Sequence, residues 1–417
     1  MIVGERVPEQ LEMMARSSGA ELARLYAEYL EGRPKTVRTF DVGYADLCFF
    51  GGTANNLREF TFLLKVLDEH SIRYSHKFFL RDFRAHTSRI ASAVETVRTE
   101  VLHAGVQWVH RCGTVSGSHL NQLLQYTGIF LGVLHSYADK RHLLPRIAVV
   151  ANDHSPSQVG FAMAMKSLGV PVIYVQHAEV SEIFPPLDFT ASVLRNQRSL
   201  DTYRRVGPVK GKTFVVSRIF DKARFQDVMA PLTGEAIVGI YPTSRFDRAD
   251  LQVAIESLRR NPAVQDYFVK LHPNTPLTFN EEEATYFKFR TNTPDARHVA
   301  IVGNSSVVVE LLSQGHPVYQ LFDLDGVDAD YYGFVKAGFA PSIEPGDLEK
   351  SFWTGGFYNE DWLKRGSRFE PSMREDQWAA RRKLARFMAR LLKRRAMAQA
   401  LHQLFRVKQK AASAGVV

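Results

Sequence analysis

Lys270-Leu271-His272-Pro273-Asn274 closes an apolar run, and about thirty residues later Gly303-Asn304-Ser305-Ser306 closes another and opens a helical pattern that carries Glu310. A histidine and a serine pair at two successive strand ends can converge on one phosphate. Imidazole protons, hydroxyls and the backbone N–H groups of a helix start all favour an anion. This chemistry points to an enzyme that uses a phosphate-activated donor. Pro273 restricts the backbone next to His272, so the imidazole projects from a constrained strand end and not from a mobile loop. Glu310, one turn in, can accept hydrogen bonds from ribose hydroxyls or simply be a charge favoured near a helix N-terminus. The loop Pro242-Thr243-Ser244-Arg245 offers two hydroxyls and a guanidinium to the same anion, or forms a surface turn with a capping serine.

Transfer to a hydroxyl also needs a base, and the first half of the chain supplies candidates. Asn152-Asp153-His154 and Gln176-His177-Ala178-Glu179 each follow a strong apolar run, which places both loops on one sheet edge. His177, Glu179 and Asp153 are the residues able to take the proton. Phe50-Gly51-Gly52-Thr53 also ends a run; its glycines permit close backbone approach but lack the spacing of a dinucleotide fingerprint or a P-loop.

Elements that would position these residues follow from the alternation of apolar runs with helical segments, the pattern of doubly wound α/β domains. Strands are expected at Asp46 to Phe50, Lys77 to Leu80, Val106 to Val109, Ile147 to Ala151, Val172 to Gln176 and Phe189 to Leu194. A second series comprises Ala236 to Tyr241, Phe268 to Leu271, Val299 to Val302 and Val318 to Phe322. Pro231 and Gly234 mark the break between the series. Three parts are therefore expected: an N-terminal Rossmann-like, acceptor-binding domain (1–230), a C-terminal Rossmann-like donor domain (231–350) and C-terminal helices with a basic tail (351–417).

At 417 residues and 45% apolar content, the chain can bury two cores. Cys48 and Cys112 form neither a metal-ligand spacing nor a disulfide framework, which fits a reducing compartment. No basic-then-apolar leader opens the chain, and the apolar stretch Leu123 to Tyr137 is too short to cross a bilayer, so the expected location is cytoplasmic. Twelve Lys or Arg between Arg374 and Lys410, against Glu375 and Asp376, account for the net charge of +9 and leave the rest near neutral. Apolar residues recur through this tail at helical spacing. Such a helix either lies on an anionic membrane or packs on the body with a solvated basic face. Nucleic acid is not an expected partner, because no recognition motif accompanies the charge.

Together the His-Pro strand end, the Ser-Ser helix start with its downstream Glu, and the Gln-His loop resemble GT-B glycosyltransferases of bacterial surface polysaccharide synthesis. The motifs are similar to those of bacterial sialyl-, polysialyl- and Kdo-transferases and of CDP-glycerol polymerases of the teichoic acid type. The resemblance covers roughly residues 145 to 325 and implies two Rossmann-like domains facing a cleft. It implies that His272 contacts the donor phosphate and that Ser305 and Ser306 hold it, with Glu310 at the ribose. Two departures leave the base open. The acidic-acidic-glycine motif of the sialyltransferase groups is missing. Gln176-His177-Ala178 is instead similar to the Gln-His-Gly loop of the glycerophosphate polymerases, with Ala178 in the glycine position.

Asp323, Asp325, Asp328 and Asp330 could hold a divalent ion, but their spacing is not that of an EF-hand and a solvated loop is expected. The expected protein is a metal-independent, inverting GT-B transferase needing no cofactor beyond its nucleotide-sugar substrate, with a CMP-linked acidic sugar favoured. Its acceptor would be a surface polysaccharide or lipid-linked glycan. The alternatives are polyol phosphate transfer and a catalytically silent binder of glycans or membranes.

Overall fold

Runs that are apolar at every position need cover on both faces, and parallel sheets between helices supply it. The computed structural model describes residues 7–219, 224–232, 235–272, 275, 279–373 and 377–413, with side chains through residue 397. Pro273 and Asn274 of the His-Pro strand end lie outside the described residues, as do residues 374–376 and the side chains from 398 onward.

Helices α1 (Glu9–Met14) and α2 (Gly19–Glu31) precede β1 (Thr36–Phe40), β2 (Leu47–Phe50), α3 (Ala54–Glu69), β3 (His76–Phe78), α4 (Phe79–Asp82) and β4 (Ala85–Arg89). Next come α5 (Ser92–Cys112), α6 (Gly117–Tyr137), β5 (Ile147–Val150), α7 (Pro156–Ser167), β6 (Val172–Val175), β7 (Asp188–Leu194), α8 (Gln197–Val206) and β8 (Lys210–Val215). A six-stranded parallel sheet results, in the order β3-β2-β5-β6-β7-β8. β2, β5 and β6 are buried at every position.

The second series consists of α9 (Phe225–Met229), β9 (Ala236–Tyr241), α10 (Arg248–Arg260), β10 (Val264–Val269), α11 (Glu281–Phe287), β11 (Val299–Val302), α12 (Val307–Ser313) and β12 (Val318–Gln320). Its four strands are parallel in the order β10-β9-β11-β12, with β9 and β11 central. Helix α13 (Glu360–Gly366) belongs to this half, burying Trp362 in the same core as Val238, Ile301 and Leu312. The architecture is α/β, with two Rossmann-like domains facing a cleft in the GT-B manner.

Two elements depart from expectation, and a third decides between two open readings. Val106 to Val109 is not a strand but part of α5, whose Val109 packs with Leu11, Leu22, Tyr26 and Leu120. Four residues cannot separate the two periods, whereas the turn-free stretch from 92 to 112 is helical in length and buries Val94, Gly105 and Val109 along one side. An antiparallel ribbon of β1 and β4 also stands apart from the main sheet, against α6. Finally, α14 (Trp378–Ser413) returns to the first domain, where Leu384, Ala385, Met388 and Leu392 join the core beneath Leu47, Ile147 and Val175. Arg382, Lys383, Arg386, Arg390, Lys393 and Arg394 stay exposed. The apolar stripe of this stretch is thus used on the protein itself.

Side chains pin the returning helix. Gln377 Oε1 accepts from the Ser217 backbone N–H at 3.1 Å, and Arg381 donates to the Ile219 carbonyl. The two passages of chain between the domains therefore run side by side. No helix among the described residues is long and apolar enough to cross a membrane.

Candidate active site

Loops after parallel strands collect at one sheet edge, and here two such edges meet. They enclose a cleft of about 320 Å³. From the first domain come Thr53, Asn55, Arg58, His177 and Ala178; from the second come Pro242, Lys270, His272, Ser305, Ser306 and Glu310.

The first-domain loops are held by buried amides. Thr53 caps α3 in a reciprocal box with Asn56, and a Cβ on Gly51 would lie 2.9 Å from Asn56 Oδ1, so only glycine fits that approach. Asn56 Oδ1 accepts from Gln158 Nε2 at 3.2 Å, and Gln158 Oε1 accepts from the backbone N–H groups of Ala151 and Asn152, both at 2.9 Å. Gln176, fully buried, donates to the Ala178 carbonyl at 2.7 Å and to Ser199 Oγ at 2.8 Å, and accepts from the Arg195 N–H at 2.9 Å. That clamp fixes the loop carrying His177.

His177 is half-buried at the cleft wall. Burial and the neighbouring His154 push its pKa below the ordinary value, against the pull of Asp153. Its enclosed Nδ1 has no partner within hydrogen-bonding geometry, although the nearby Ala151 carbonyl favours a proton on the ring. The other two base candidates stand elsewhere. Glu179 is buried, and both of its oxygens accept from Asn196 Nδ2 at 3.0 Å, so it braces the residue that caps α8. Burial raises its pKa, while Arg195 and Asn196 oppose the rise. Asp153 accepts from Tyr203 Oη at 2.5 Å and pairs with His154 Nδ1 at 3.0 Å. The His154 and His177 rings lie 6.3 Å apart, and the Asp153 charge is near enough to act on His177.

In the second domain, Lys270 and His272 follow β10 two residues apart and both reach the cleft. Burial, then Lys270, lowers the His272 pKa. Ser305 Oγ accepts from the Val307 N–H at 3.3 Å, and Ser306 opens α12 without using its hydroxyl as a cap. Glu310 faces Arg58 Nη1 at 3.0 Å and Arg195 Nη2 at 4.0 Å, both from the first domain.

Other nominated residues play different parts. Asn304 is tied to Asp325 through its backbone N–H (2.9 Å) and Nδ2 (3.2 Å), and its Oδ1 accepts from the Tyr331 N–H at 3.1 Å. It holds the serine loop in place. Thr243 Oγ1 accepts from the Arg245 N–H at 3.2 Å, which makes a local turn, and Thr243, Ser244 and Arg245 stand outside the cleft wall, Arg245 exposed. In the acidic loop, Asp325 grips Asn304, while Asp330 accepts from the Val335 and Lys336 N–H groups at 3.0 and 2.8 Å. Among the described residues no three His, Cys, Asp or Glu cluster as metal ligands. Lys270, Thr53 and Asn55 stand in loops singled out by the sequence but had no role assigned there, and Arg58 belongs to no motif. Lys270 was within reach, since alternation past the strand end puts it on the His272 side.

No family model matches the chain, and no curated protein does. Solved structures are similar to it at a distance. The "Glycotransferase of kitacinnamycin" is 12% identical over 84% of this chain and 99% of its own, with a TM-score of 0.49. Wall teichoic acid polymerase TagF is 11% identical over 93% and 94%, with a TM-score of 0.47. MurG of Acinetobacter baumannii is 12% identical over 82% and 99%, with a TM-score of 0.43. Likeness this distant says nothing of activity, and the chemistry of the cleft rests on its own geometry.

Proposed function

We propose that the chain is a metal-independent, inverting GT-B transferase that moves a sugar from a nucleotide donor, a CMP-linked acidic sugar being favoured, to a nascent bacterial surface polysaccharide or lipid-linked glycan. One observation carries the reading: His177 from one domain shares a cleft with Lys270, His272, Ser305, Ser306 and Glu310 from the other. The uncharged ring, its pKa lowered by burial, has a nitrogen lone pair able to accept the proton of an acceptor hydroxyl. The hydroxyl oxygen then bonds to the anomeric carbon as the bond to the nucleotide phosphate breaks. The departing charge is met by the Lys270 ammonium, the His272 ring and the two serine hydroxyls, fixed donors that offset it without a metal ion. Glu310 offers its carboxylate to ribose hydroxyls in exchange for Arg58. Contact with an anionic membrane would use the outward basic face of α14, the stripe through Leu392 being occupied.

A second reading is favoured by one detail. His177, and not Glu179, lines the cleft, which is the base expected by analogy with the glycerophosphate polymerases. There the acceptor oxygen attacks the glycerol-bearing phosphorus of CDP-glycerol, the bond to the bridging oxygen breaks and CMP leaves, and the product gains a phosphodiester. Incubation with CMP-, UDP- and GDP-sugars and CDP-glycerol separates the two: the donor consumed is identified and new phosphodiester is sought by 31P NMR. A folded His272→Ala protein with full transfer activity sinks both. Thermal stabilisation by none of CMP, CDP, UDP or GDP favours the silent binder, since a ligand at about 100 times its Kd stabilises by about 2.7 kcal/mol.

A further inference from the structure

Exposed apolar side chains scattered singly mean little, whereas several lining one concavity mark a binding surface. Of the nine large apolar side chains that stand exposed among the described residues, three gather in one groove: Trp108 of α5 (41% exposed), Met163 of α7 (52%) and Ile183 of the loop after β6 (79%). The groove holds about 730 Å³ and its floor includes Leu123 and Phe130 of α6. That volume lies within the roughly 300–1,000 Å³ of small-molecule sites.

The groove is not apolar throughout. Asp153 and His154 line it as well. His154 is the groove residue that neighbours the cleft: its ring packs 4.6 Å from Phe184, its carbonyl accepts from Tyr126 Oη at 3.0 Å, and its ring is 6.3 Å from that of His177, which lines the cleft. A polar corner adjoining the cleft and a long apolar trough match one amphipathic molecule lying across both.

We infer that this groove binds the apolar part of the acceptor, an alkyl or polyprenyl chain, whose hydroxyl-bearing end reaches His177. The assignment rests on the transferase reading and adds to it an acceptor class and a place for the chain. Met163 and Ile183 grip the chain, and the His154 corner marks where apolar gives way to polar. Burial of each methylene in such a trough strengthens binding about two- to fourfold, so the acceptor is selected by chain length as much as by sugar.

Calorimetry on the full chain with methyl, hexyl and octyl β-D-glucosides below their micellar concentrations tests this. Affinity is expected to climb about two- to fourfold per methylene. It should drop roughly four- to sixteenfold, the loss of about two methylenes of contact, in Met163→Glu and in Ile183→Glu, exposed positions where a carboxylate does not disturb the core. CMP and CDP binding should stay unchanged in both variants. Chain-length-independent binding, or wild-type octyl affinity in both variants, overturns the inference. So does a dimer in sedimentation that Ile183→Glu dissociates while octyl glucoside fails to bind, because a second copy would then cover the groove. If nucleotides bind but alkyl glucosides do not, the groove assignment falls and the transferase stands. If alkyl glucosides bind with the expected length dependence but no nucleotide does, the groove stands as an alkyl site and the transferase reading falls.

Discussion

With its pKa held below the ordinary 6.5 by burial, His177 is uncharged at neutral pH and free to accept a proton. Transfer catalysed by this ring is expected to fall as pH drops through its folded pKa. Asp153 raises that pKa, so Asp153→Asn should move the acidic limb of the pH–rate profile to lower pH, a shift that mere loss of folded protein does not produce. His177→Asn is expected to cost about 10²–10⁴-fold in kcat with nucleotide affinity retained, the usual worth of a positioned base. Glu179→Gln should behave in the opposite way. Its partner is the Asn196 cap, so stability falls by about 1–3 kcal/mol in a urea titration while the turnover of the folded fraction stays within a few-fold. At this scale the sequence named the His272, Ser305, Ser306 and His177 positions from strand ends alone. It could not rank His177 above Glu179, because two residues in one loop differ only in which way the clamped backbone turns them. Arg58 was unreadable for a related reason: its interest comes from Glu310, 252 positions away.

Element by element, the ion pairs made by two adjacent residues of α3, Arg58 and Glu59, make a contrast. Glu59 of α3 and Arg218 after β8 form a buried pair at 2.5 Å, in which Arg218 also donates to the carbonyls of Val216, Gln176 and Val193. Glu59→Ala strands a buried guanidinium and is expected to cost about 3–5 kcal/mol. The half-exposed Arg58–Glu310 pair, between domains, is worth about 1 kcal/mol or less, so Arg58→Ala should leave the urea midpoint almost unmoved. The central strands were legible because β5, β6 and β11 are short, wholly apolar and bounded by polar loops. Helix α5 was misread at Val106 to Val109 because four residues carry no period. The β1–β4 ribbon was missed because its five positions alternate weakly and pair across about fifty residues.

For the whole molecule, acid is the informative stress. His316 is buried against His298, with ring centroids 3.9 Å apart and ring planes tilted by 33°. Burial, then His298, pushes its pKa from 6.5 down to about 3. The unfolded chain therefore takes up a proton first, and stability is lost as pH falls from about 6.5 toward about 3, by up to ~1.4 kcal/mol per unit. Urea midpoints between pH 7 and 4.5 should slope downward, and the slope should flatten in His316→Gln. The tail was legible as a basic, apolar-striped helix, but charge and period are the same for a helix on lipid and a helix on its own sheet. Only the shape of the sheet face beneath Leu384 and Met388 separates them. The return of α14 also changes how the molecule can move. Two passages of chain side by side, at Ser217 to Ile219 and at Gln377 to Arg381, are placed as the two leaves of a hinge would be. Such a joint permits rotation about the line along which they lie and resists twist across it. Opening of the cleft to admit a donor is expected to follow that line, so that Lys270, His272 and the serines come back opposite His177 on closure.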